Sequence, residues 1–176
     1  DIQLRKNLIL TGMMGVGTST IGKSLAKKLS YTLIDIDKLV EKKEGCSINL
    51  IFKRKGENYF RTIENDITLQ MLKGNNSVIA LGGGAFLNKA IRTKSKKRAI
   101  SFWLDLSIEE LIKRLTKAKK RPLLFKKQLN EEVRKIYLER KKTYNEADYK
   151  INCNFLKPGK IADLILELYE KSGNKI

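Results

Sequence analysis

The sequence predicts an α/β protein of three layers, in which a parallel β-sheet is covered by helices on both faces. Short apolar runs typical of buried strands alternate with segments whose apolar residues recur at helical spacing. Unusual clusters of glycine or aspartate directly follow predicted strands, and such sheets bind ligands at the carboxyl ends of their strands. No proline-rich linker or internal repeat divides the 176 residues, so we expect one domain over residues 1–176.

Three strands and the helices between them are predicted in the first half of the chain. Each strand is a short apolar run, and each helix is a stretch in which apolar residues share one face. Gly74-Asn75-Asn76 ends the last of these helices just before the third strand. The elements, in order, are a strand at 8–10, a helix through 21–29, a strand at 33–34, helical segments at 39–40 and 48–52, a helix at 57–72 and a strand at 78–81.

The second half continues the alternation with two further strands and three helices. Ser107 is placed to cap the first of these helices through its side-chain oxygen. A basic stretch follows Arg121-Pro122 and precedes the longest predicted helix. The elements are a strand at 99–104, helices at 107–115 and 130–144, a strand at 149–152 and a closing helix at 160–169.

The chain contains no histidine, and this excludes several kinds of chemistry. Ser-His-Asp and Cys-His nucleophilic catalysis, histidine general bases and histidine-containing zinc sites all require a residue that is not present. Any reaction must therefore use carboxylates, lysine or arginine, hydroxyls, backbone amides and a bound metal ion.

The net charge of +18 raises the question of nucleic-acid binding. Of the 37 basic residues, 28 are lysine, whereas proteins that read nucleic acid rely on arginine for bidentate and stacking contacts. We therefore expect no specific nucleic-acid partner. A general attraction for anionic substrates is the inference that the charge supports.

The chain is expected to act in the cytoplasm. Its apolar runs are far shorter than the roughly 18 residues of a membrane span, and residues 1–7 are too polar for a secretory signal. Cys46 and Cys153 lie far apart without metal-type spacing, which favours free thiols in a reducing compartment.

A glycine-rich segment, 12–20, lies between the first predicted strand and the first predicted helix. In that context, consecutive backbone amides and the helix N-terminus can bind phosphates, and Ser19 matches the hydroxyl that holds Mg²⁺ in a phosphate-binding loop (P-loop). The alternative is an ordinary glycine-rich turn. Thr18 departs from the P-loop pattern, because a lysine is expected there to reach the β- and γ-phosphates. Lys23, one helical turn beyond Ser19, is a poor substitute.

Two further clusters supply carboxylates and an arginine. If Asp35 and Asp37 lie on an extended segment, both face the same side, where one can orient Mg²⁺ and the other can accept a substrate proton. Asp37 could instead simply cap the next helix. Glu57, Arg61 and Glu64 share one helical face, either as solvated ion pairs or as an oriented guanidinium for a carboxylate ligand.

The remaining candidates are a glycine triplet and three arginines. Gly82, Gly83 and Gly84 offer a surface without side chains where backbone amides can face a ligand, although a tight turn is the alternative. Arg121 lies in a basic segment that can act as a lid over a transferring phosphoryl group, or as a solvated loop. Arg114 and Arg140 are the other two arginines of this group.

These segments, in this order and spacing, resemble shikimate kinase from Asn7 to about Tyr169. Any one of them is weak evidence, but the set is highly specific. It consists of Gly12-Met13-Met14-Gly15-Val16-Gly17-Thr18-Ser19-Thr20, Asp35-Ile36-Asp37, Gly56-Glu57 with Tyr59-Phe60-Arg61 and Glu64, Leu81-Gly82-Gly83-Gly84, Arg121-Pro122-Leu123-Leu124, and Glu139-Arg140 with Tyr144.

The resemblance implies ATP- and Mg²⁺-dependent phosphorylation of the 3-hydroxyl of shikimate, a step in aromatic amino-acid synthesis, by a monomer. The implied P-loop fold has a five-stranded parallel sheet in the order 2-3-1-4-5. Substrate-binding helices are expected at about 38–73 and a lid at about 118–130.

The resemblance also implies a role for each matching residue. Asp37 is expected to contact the shikimate hydroxyls and act as the base, and Arg121 to close over the phosphates. The remaining substrate contacts are Arg61, Gly82, Gly83, Gly84 and Arg140; the metal contacts are Ser19 and Asp35; the ATP contacts are Gly12, Gly15, Val16, Gly17, Thr18, Ser19, Thr20, Arg114 and Arg121.

Thr18 leaves alternatives open. The chain could be a catalytically weak or inactive protein that binds shikimate and nucleotide, an active enzyme compensated by Arg121 and Mg²⁺, or a sequence altered at this one residue. A related small-molecule kinase, such as gluconate kinase, would share the phosphate loop. The arginine-glutamate segment, the glycine triplet and the Arg121-Pro122-Leu123-Leu124 segment favour shikimate.

Overall fold

Five parallel strands form the central sheet of the computed structural model, which describes residues 3–119 and 123–176. The strands pair in the order β2-β3-β1-β4-β5, and every pairing is parallel. The predicted fold class and strand order are therefore confirmed. The strands are β1 (Asn7–Thr11), β2 (Thr32–Asp35), β3 (Ser77–Ala80), β4 (Ala99–Asp105) and β5 (Tyr149–Asn152).

Eight α-helices occur within the described residues, and at least one lies between each two successive strands. None of them is both long enough and apolar enough to cross a lipid bilayer. The helices are α1 (Thr18–Leu29), α2 (Ile36–Glu44), α3 (Ile48–Lys55), α4 (Glu57–Leu72), α5 (Lys89–Arg98), α6 (Ile108–Lys119), α7 (Leu123–Tyr144) and α8 (Pro158–Lys171).

The central strands are buried on both of their faces. Every residue of β1 and β3 is buried, and so are the first six residues of β4. Because successive side chains of a strand point to opposite faces, such strands need a layer of helices on each side and are apolar without alternation. Leu8-Ile9-Leu10, for example, is wholly inaccessible to solvent.

Three elements differ from the sequence prediction. The polar helix α5 was not predicted, because only Ile91 and Ser95 of its ten residues are buried and no apolar stripe marks it. Helix α7 begins at Leu123, earlier than the start at residue 130 that the sequence predicts. Strand β2 ends at Asp35, which places Asp37 in the first turn of α2 rather than on an extended segment.

The parallel arrangement brings the carboxyl ends of β1, β2 and β3 to one edge of the sheet. Residues 12–17 follow β1, residue 35 ends β2, and residues 82–84 follow β3. The segments singled out in the sequence therefore meet at this edge, which is where ligands bind in open α/β sheets.

Candidate active site

Residues 12–17, which follow β1, form a loop that leads into the N-terminus of α1. We call this segment the phosphate loop. Gly15 and Gly17 both have a φ angle of 88°, a left-handed conformation that favours glycine. The N-cap residue of α1 is Gly17, which has no side chain to cap the first turn, so the amides of that turn are available to an anion. Val16 is buried in the core, whereas Ser19 and Thr20 are exposed in the first turn.

The charge around this loop differs from that of an ordinary P-loop. Thr18 is the first residue of α1, and its side chain carries no charge. The Arg114 guanidinium lies beside the loop, with Nη1 3.4 Å from the Gly15 carbonyl oxygen and Nε 3.7 Å from Glu110 Oε1. Lys23 is exposed on the outside of α1. Arg121 lies outside the described residues.

Asp35 connects the phosphate loop to the start of α2. Its Oδ2 accepts a hydrogen bond of 2.8 Å from the Ser19 hydroxyl, and its Oδ1 accepts one of 3.2 Å from the Lys38 amide. Asp35, and not Asp37, therefore caps α2, which corrects the alternative considered for Asp37. A hydroxyl and a carboxylate at this distance are oxygen ligands of the kind that Mg²⁺ takes, so the residues present fit that ion.

Asp37 lies against the first glycine of the triplet. A Cβ atom placed on Gly82 would be 2.7 Å from Asp37 Oδ1 and 3.3 Å from Glu64 Oε2, so two carboxylates flank this backbone position. Burial, followed by the charges of Glu64 and Asp35, raises the pKa of Asp37 to about 6. Asp37 and Asp35 thus lie close enough for their charges to interact. They are brought together by the first turn of α2, and not by the alternation of side chains along a strand that the sequence suggested.

Glu64 orients Arg61 beneath the triplet. Arg61 Nη1 donates a hydrogen bond of 2.7 Å to Glu64 Oε1, whereas Glu57 Oε1 lies 3.7 Å from Arg61 Nε. The Glu64 side chain is only 3% exposed, and its burial raises its pKa. A Cβ atom on Gly84 would be 2.6 Å from Arg61 Cζ, so the guanidinium lies directly against the triplet.

Arg140 approaches the triplet from α7. A Cβ atom on Gly83 would be 3.2 Å from Arg140 Nη1, 3.5 Å from the Gly12 carbonyl oxygen and 3.6 Å from the Met14 amide nitrogen. Gly83 therefore touches both the second arginine and the phosphate loop. Two guanidinium groups from different helices converge on a backbone without side chains, an arrangement suited to a carboxylate ligand next to a phosphate.

Tyr144 belongs to the site, although sequence reasoning assigned it no role beyond its place in the family pattern. Its hydroxyl donates to the Gly83 carbonyl and lies 3.3 Å from the Gly12 carbonyl oxygen, where the glycine triplet meets the phosphate loop. Apart from that pattern, the signal in the sequence is its spacing of four residues after Arg140, which places both on one face of a helix.

A phosphate loop, a carboxylate pair and converging arginines at the carboxyl edge of a parallel sheet define a P-loop small-molecule kinase. The family model for shikimate kinase matches residues 14–170. A shikimate kinase from Sulfurihydrogenibium sp. is 40% identical over 161 residues, which cover 92% of this chain and 96% of that protein. The chain belongs to the shikimate kinase family.

Solved structures agree with this assignment. Shikimate kinase from Acinetobacter baumannii in complex with shikimate superposes with a TM-score of 0.86 at 32% identity, covering 94% of this chain and 93% of that one. Shikimate kinase from Aquifex aeolicus gives 0.80 at 32% identity, covering 94% and 96%. A gluconokinase from Sinorhizobium meliloti, at 14% identity and a TM-score of 0.58 over 97% and 99%, shares the fold alone.

The raised pKa of Asp37 predicts that Asp37→Asn stabilises the folded chain above pH 6. There the carboxylate is ionised in both states, and only the folded state bears the unfavourable burial of the charge. A rise from 3.8 to about 6 corresponds to at most ~3 kcal/mol. Solvent screening reduces the expected gain in the free energy of unfolding to about 1 kcal/mol.

Urea denaturation at pH 7.5 and at pH 4 measures this gain. As the pH falls from about 6 toward 4, the folded chain takes up the proton first, so the advantage of the asparagine variant over the native chain disappears. Asp66→Asn, at an exposed position of α4, is the matched control. An equal gain at both pH values, or the same gain in the control, would contradict the assigned cause.

Proposed function

We propose that this chain transfers the γ-phosphoryl group of ATP to the 3-hydroxyl of shikimate. The observation that carries the proposal is the position of Gly83, which lies against Arg140 on one side and the phosphate loop at Gly12 and Met14 on the other. An acceptor held at the triplet is thereby adjacent to a phosphate held by the loop. Such proximity supplies much of the rate enhancement in phosphoryl transfer.

Asp37 is the proposed base, and Arg61 and Arg140 are the proposed carboxylate ligands. In the reaction, the bond between the acceptor oxygen and the γ-phosphorus forms as the bond to the ADP oxygen breaks, and the hydroxyl proton passes to Asp37. A pKa of about 6 leaves Asp37 ionised at neutral pH while keeping it more basic than an ordinary aspartate. Arginine suits the shikimate carboxylate because its planar guanidinium can bind both oxygens.

The nucleotide is proposed to bind the segment 12–20 through its backbone amides. Ser19 and Asp35 would hold Mg²⁺, which neutralises charge on the phosphates when bound. Arg114 is proposed to lie near the nucleotide, and Arg121 to close over the phosphates from the lid. We further propose a cytoplasmic monomer, which is consistent with the free thiols of Cys46 and Cys153.

Thr18 is the one observation that favours a second candidate, a protein that binds both substrates but turns them over slowly. A lysine ammonium at this position would face the phosphates, whereas the threonine hydroxyl adds no positive charge. Loss of one such donor costs on the order of 10²- to 10³-fold in rate. Binding is less affected, because Arg61, Arg140 and the loop amides are all in place.

Restoring the lysine tests the proposal directly. We expect Thr18→Lys to raise kcat for ATP-dependent shikimate phosphorylation by roughly 10²-fold, since the added ammonium stabilises the charge that shifts during transfer. The assay follows ADP release with shikimate, and with gluconate in parallel. Gln70→Lys adds the same charge on an exposed turn of α4 and should leave the rate unchanged.

Each outcome of this assay is informative. Equally rapid turnover of shikimate by the native chain and by Thr18→Lys would support shikimate as the substrate. It would refute the need for a cation at residue 18. Turnover of gluconate in place of shikimate would support the related-kinase alternative. No phosphorylation by either protein would refute the proposed substrate.

Gly84→Ala is expected to weaken shikimate binding at least tenfold while leaving ATP binding unchanged. The added methyl group would occupy the space of the Arg61 guanidinium, whose Cζ would lie 2.6 Å away, and would displace that ligand. Gly159→Ala is the control, since a Cβ there meets no atom of the described residues within 4 Å. Calorimetric titration measures both affinities, and unchanged shikimate affinity would exclude Arg61 as a carboxylate ligand.

The value of kcat/KM for shikimate should rise along an acidic limb and then level off, because the base must be ionised. Since the charge of Glu64 contributes to the raised pKa of Asp37, Glu64→Gln should move this limb to lower pH. The profile is measured with saturating MgATP. A limb that stays in place in Glu64→Gln would show that another group titrates.

A further inference from the structure

Tyr144 is a buried tyrosine at the end of α7 whose hydroxyl lies between two backbone segments far apart in the chain. Its side chain is inaccessible to solvent, and its ring packs on Trp103 with a centroid distance of 5.8 Å. The hydroxyl donates to the Gly83 carbonyl of the triplet and lies 3.3 Å from the Gly12 carbonyl oxygen of the phosphate loop. Burial raises the pKa of Tyr144, so the proton stays on the oxygen.

The Tyr144 hydroxyl is the hydrogen-bond donor that lets these two carbonyl oxygens lie close together. Carbonyl oxygens cannot pair with each other, and a buried acceptor without a donor costs about 1–3 kcal/mol. One phenolic proton facing both oxygens attracts each of them and fixes how closely the segments approach. Phenylalanine would keep the ring on Trp103 and remove only this link.

The same hydroxyl also faces a proposed substrate ligand. Arg140 lies one helical turn before Tyr144 on α7, and its Nη1 atom is 3.5 Å from the Tyr144 hydroxyl oxygen. The phenolic oxygen has lone pairs free to accept from the guanidinium while its proton points at the carbonyls. Arg140, Gly83 and Gly12 are therefore held around a single atom.

We propose that Tyr144 is a positioning residue that fixes the glycine triplet against the phosphate loop and couples the binding of the two substrates. The inference rests on the proposed function, because it assigns the acceptor to the triplet and the nucleotide to the loop. A nucleotide that orders Gly12 also orders Gly83 through the hydroxyl, so shikimate meets a site already in place. By thermodynamic linkage, shikimate must favour the nucleotide by the same factor.

Tyr144→Phe tests the coupling by calorimetry. Shikimate is titrated into the chain with and without Mg²⁺ and a non-hydrolysable ATP analogue. We expect the analogue to tighten shikimate binding roughly 5-fold in the native chain. In Tyr144→Phe this factor should fall to about 1.

Tyr137→Phe is the matched control. Tyr137 lies on the same helix, and its hydroxyl donates a hydrogen bond of 3.0 Å to Asp105 Oδ1. The variant loses this bond, which involves neither the triplet nor the phosphate loop. The control should keep the native coupling factor. A coupling factor retained in Tyr144→Phe, or one already near unity in the native chain, would overturn the proposal.

Hydrogen exchange gives a second readout that needs no substrate. In Tyr144→Phe the amides of residues 12–16 and of residues 82–85 should both exchange faster, while those of β1 and β4 keep the native rate. Faster exchange throughout the chain would mean a general loss of stability and would contradict a local link, as would a change in only one segment. If the native chain fails to bind shikimate, the proposed function is refuted. Hydrogen exchange still tests whether the Tyr144 hydroxyl connects the triplet to the phosphate loop.

Discussion

Strand β3 pairs with β2 on one side and with β1 on the other, both in parallel. Leu33 and Leu8 lie opposite Val78 in these two pairings, so the three strands reach the same edge in register. A slip of one residue would turn every side chain of β3 to the other face and shift the triplet relative to both neighbours. The complete burial of β3 prevents such a slip, because the reversed faces could not pack equally well. The contacts of the triplet with the phosphate loop and with Asp37 all depend on this register.

The site holds one buried and one half-buried carboxylate in a chain with a large excess of positive charge. Asp37 and Glu64 both have raised pKa values because burial disfavours their charged forms. The positive charge of Arg61 offsets part of the rise in the pKa of both carboxyl groups. The Arg61 guanidinium is itself held by a hydrogen bond to Glu64. Local order at the site therefore comes from opposite charges in contact, whereas the net charge of +18 acts at longer range on anionic substrates. These two roles explain why the charge balance alone is a poor guide to function.

Much of the fold could be predicted because local signals agreed with it. Gly56 and Gly74 bracket α4, and the helix spans the predicted residues. The helix α5 escaped prediction because its lysines and arginines carry no apolar period, although Asn88 accepts hydrogen bonds from Ala90 and Ile91 as an N-cap would. Residues suited to binding a ligand could be recognised by type and spacing. Their mutual contacts could not, since the approach of Arg140 to Gly83 depends on how α7 packs over the sheet.

Asp35 uses its two carboxylate oxygens for different purposes, one to cap α2 and the other to bind Ser19. The end of β2, the start of α2 and the first turn of α1 thus share one side chain. Alanine at this position would remove the bond to Ser19 and the cap of α2 together. Asparagine keeps a capping oxygen but removes the charge, so it separates the two purposes better than alanine does. The positions of α2 and of the first turn of α1 consequently depend on the same residue.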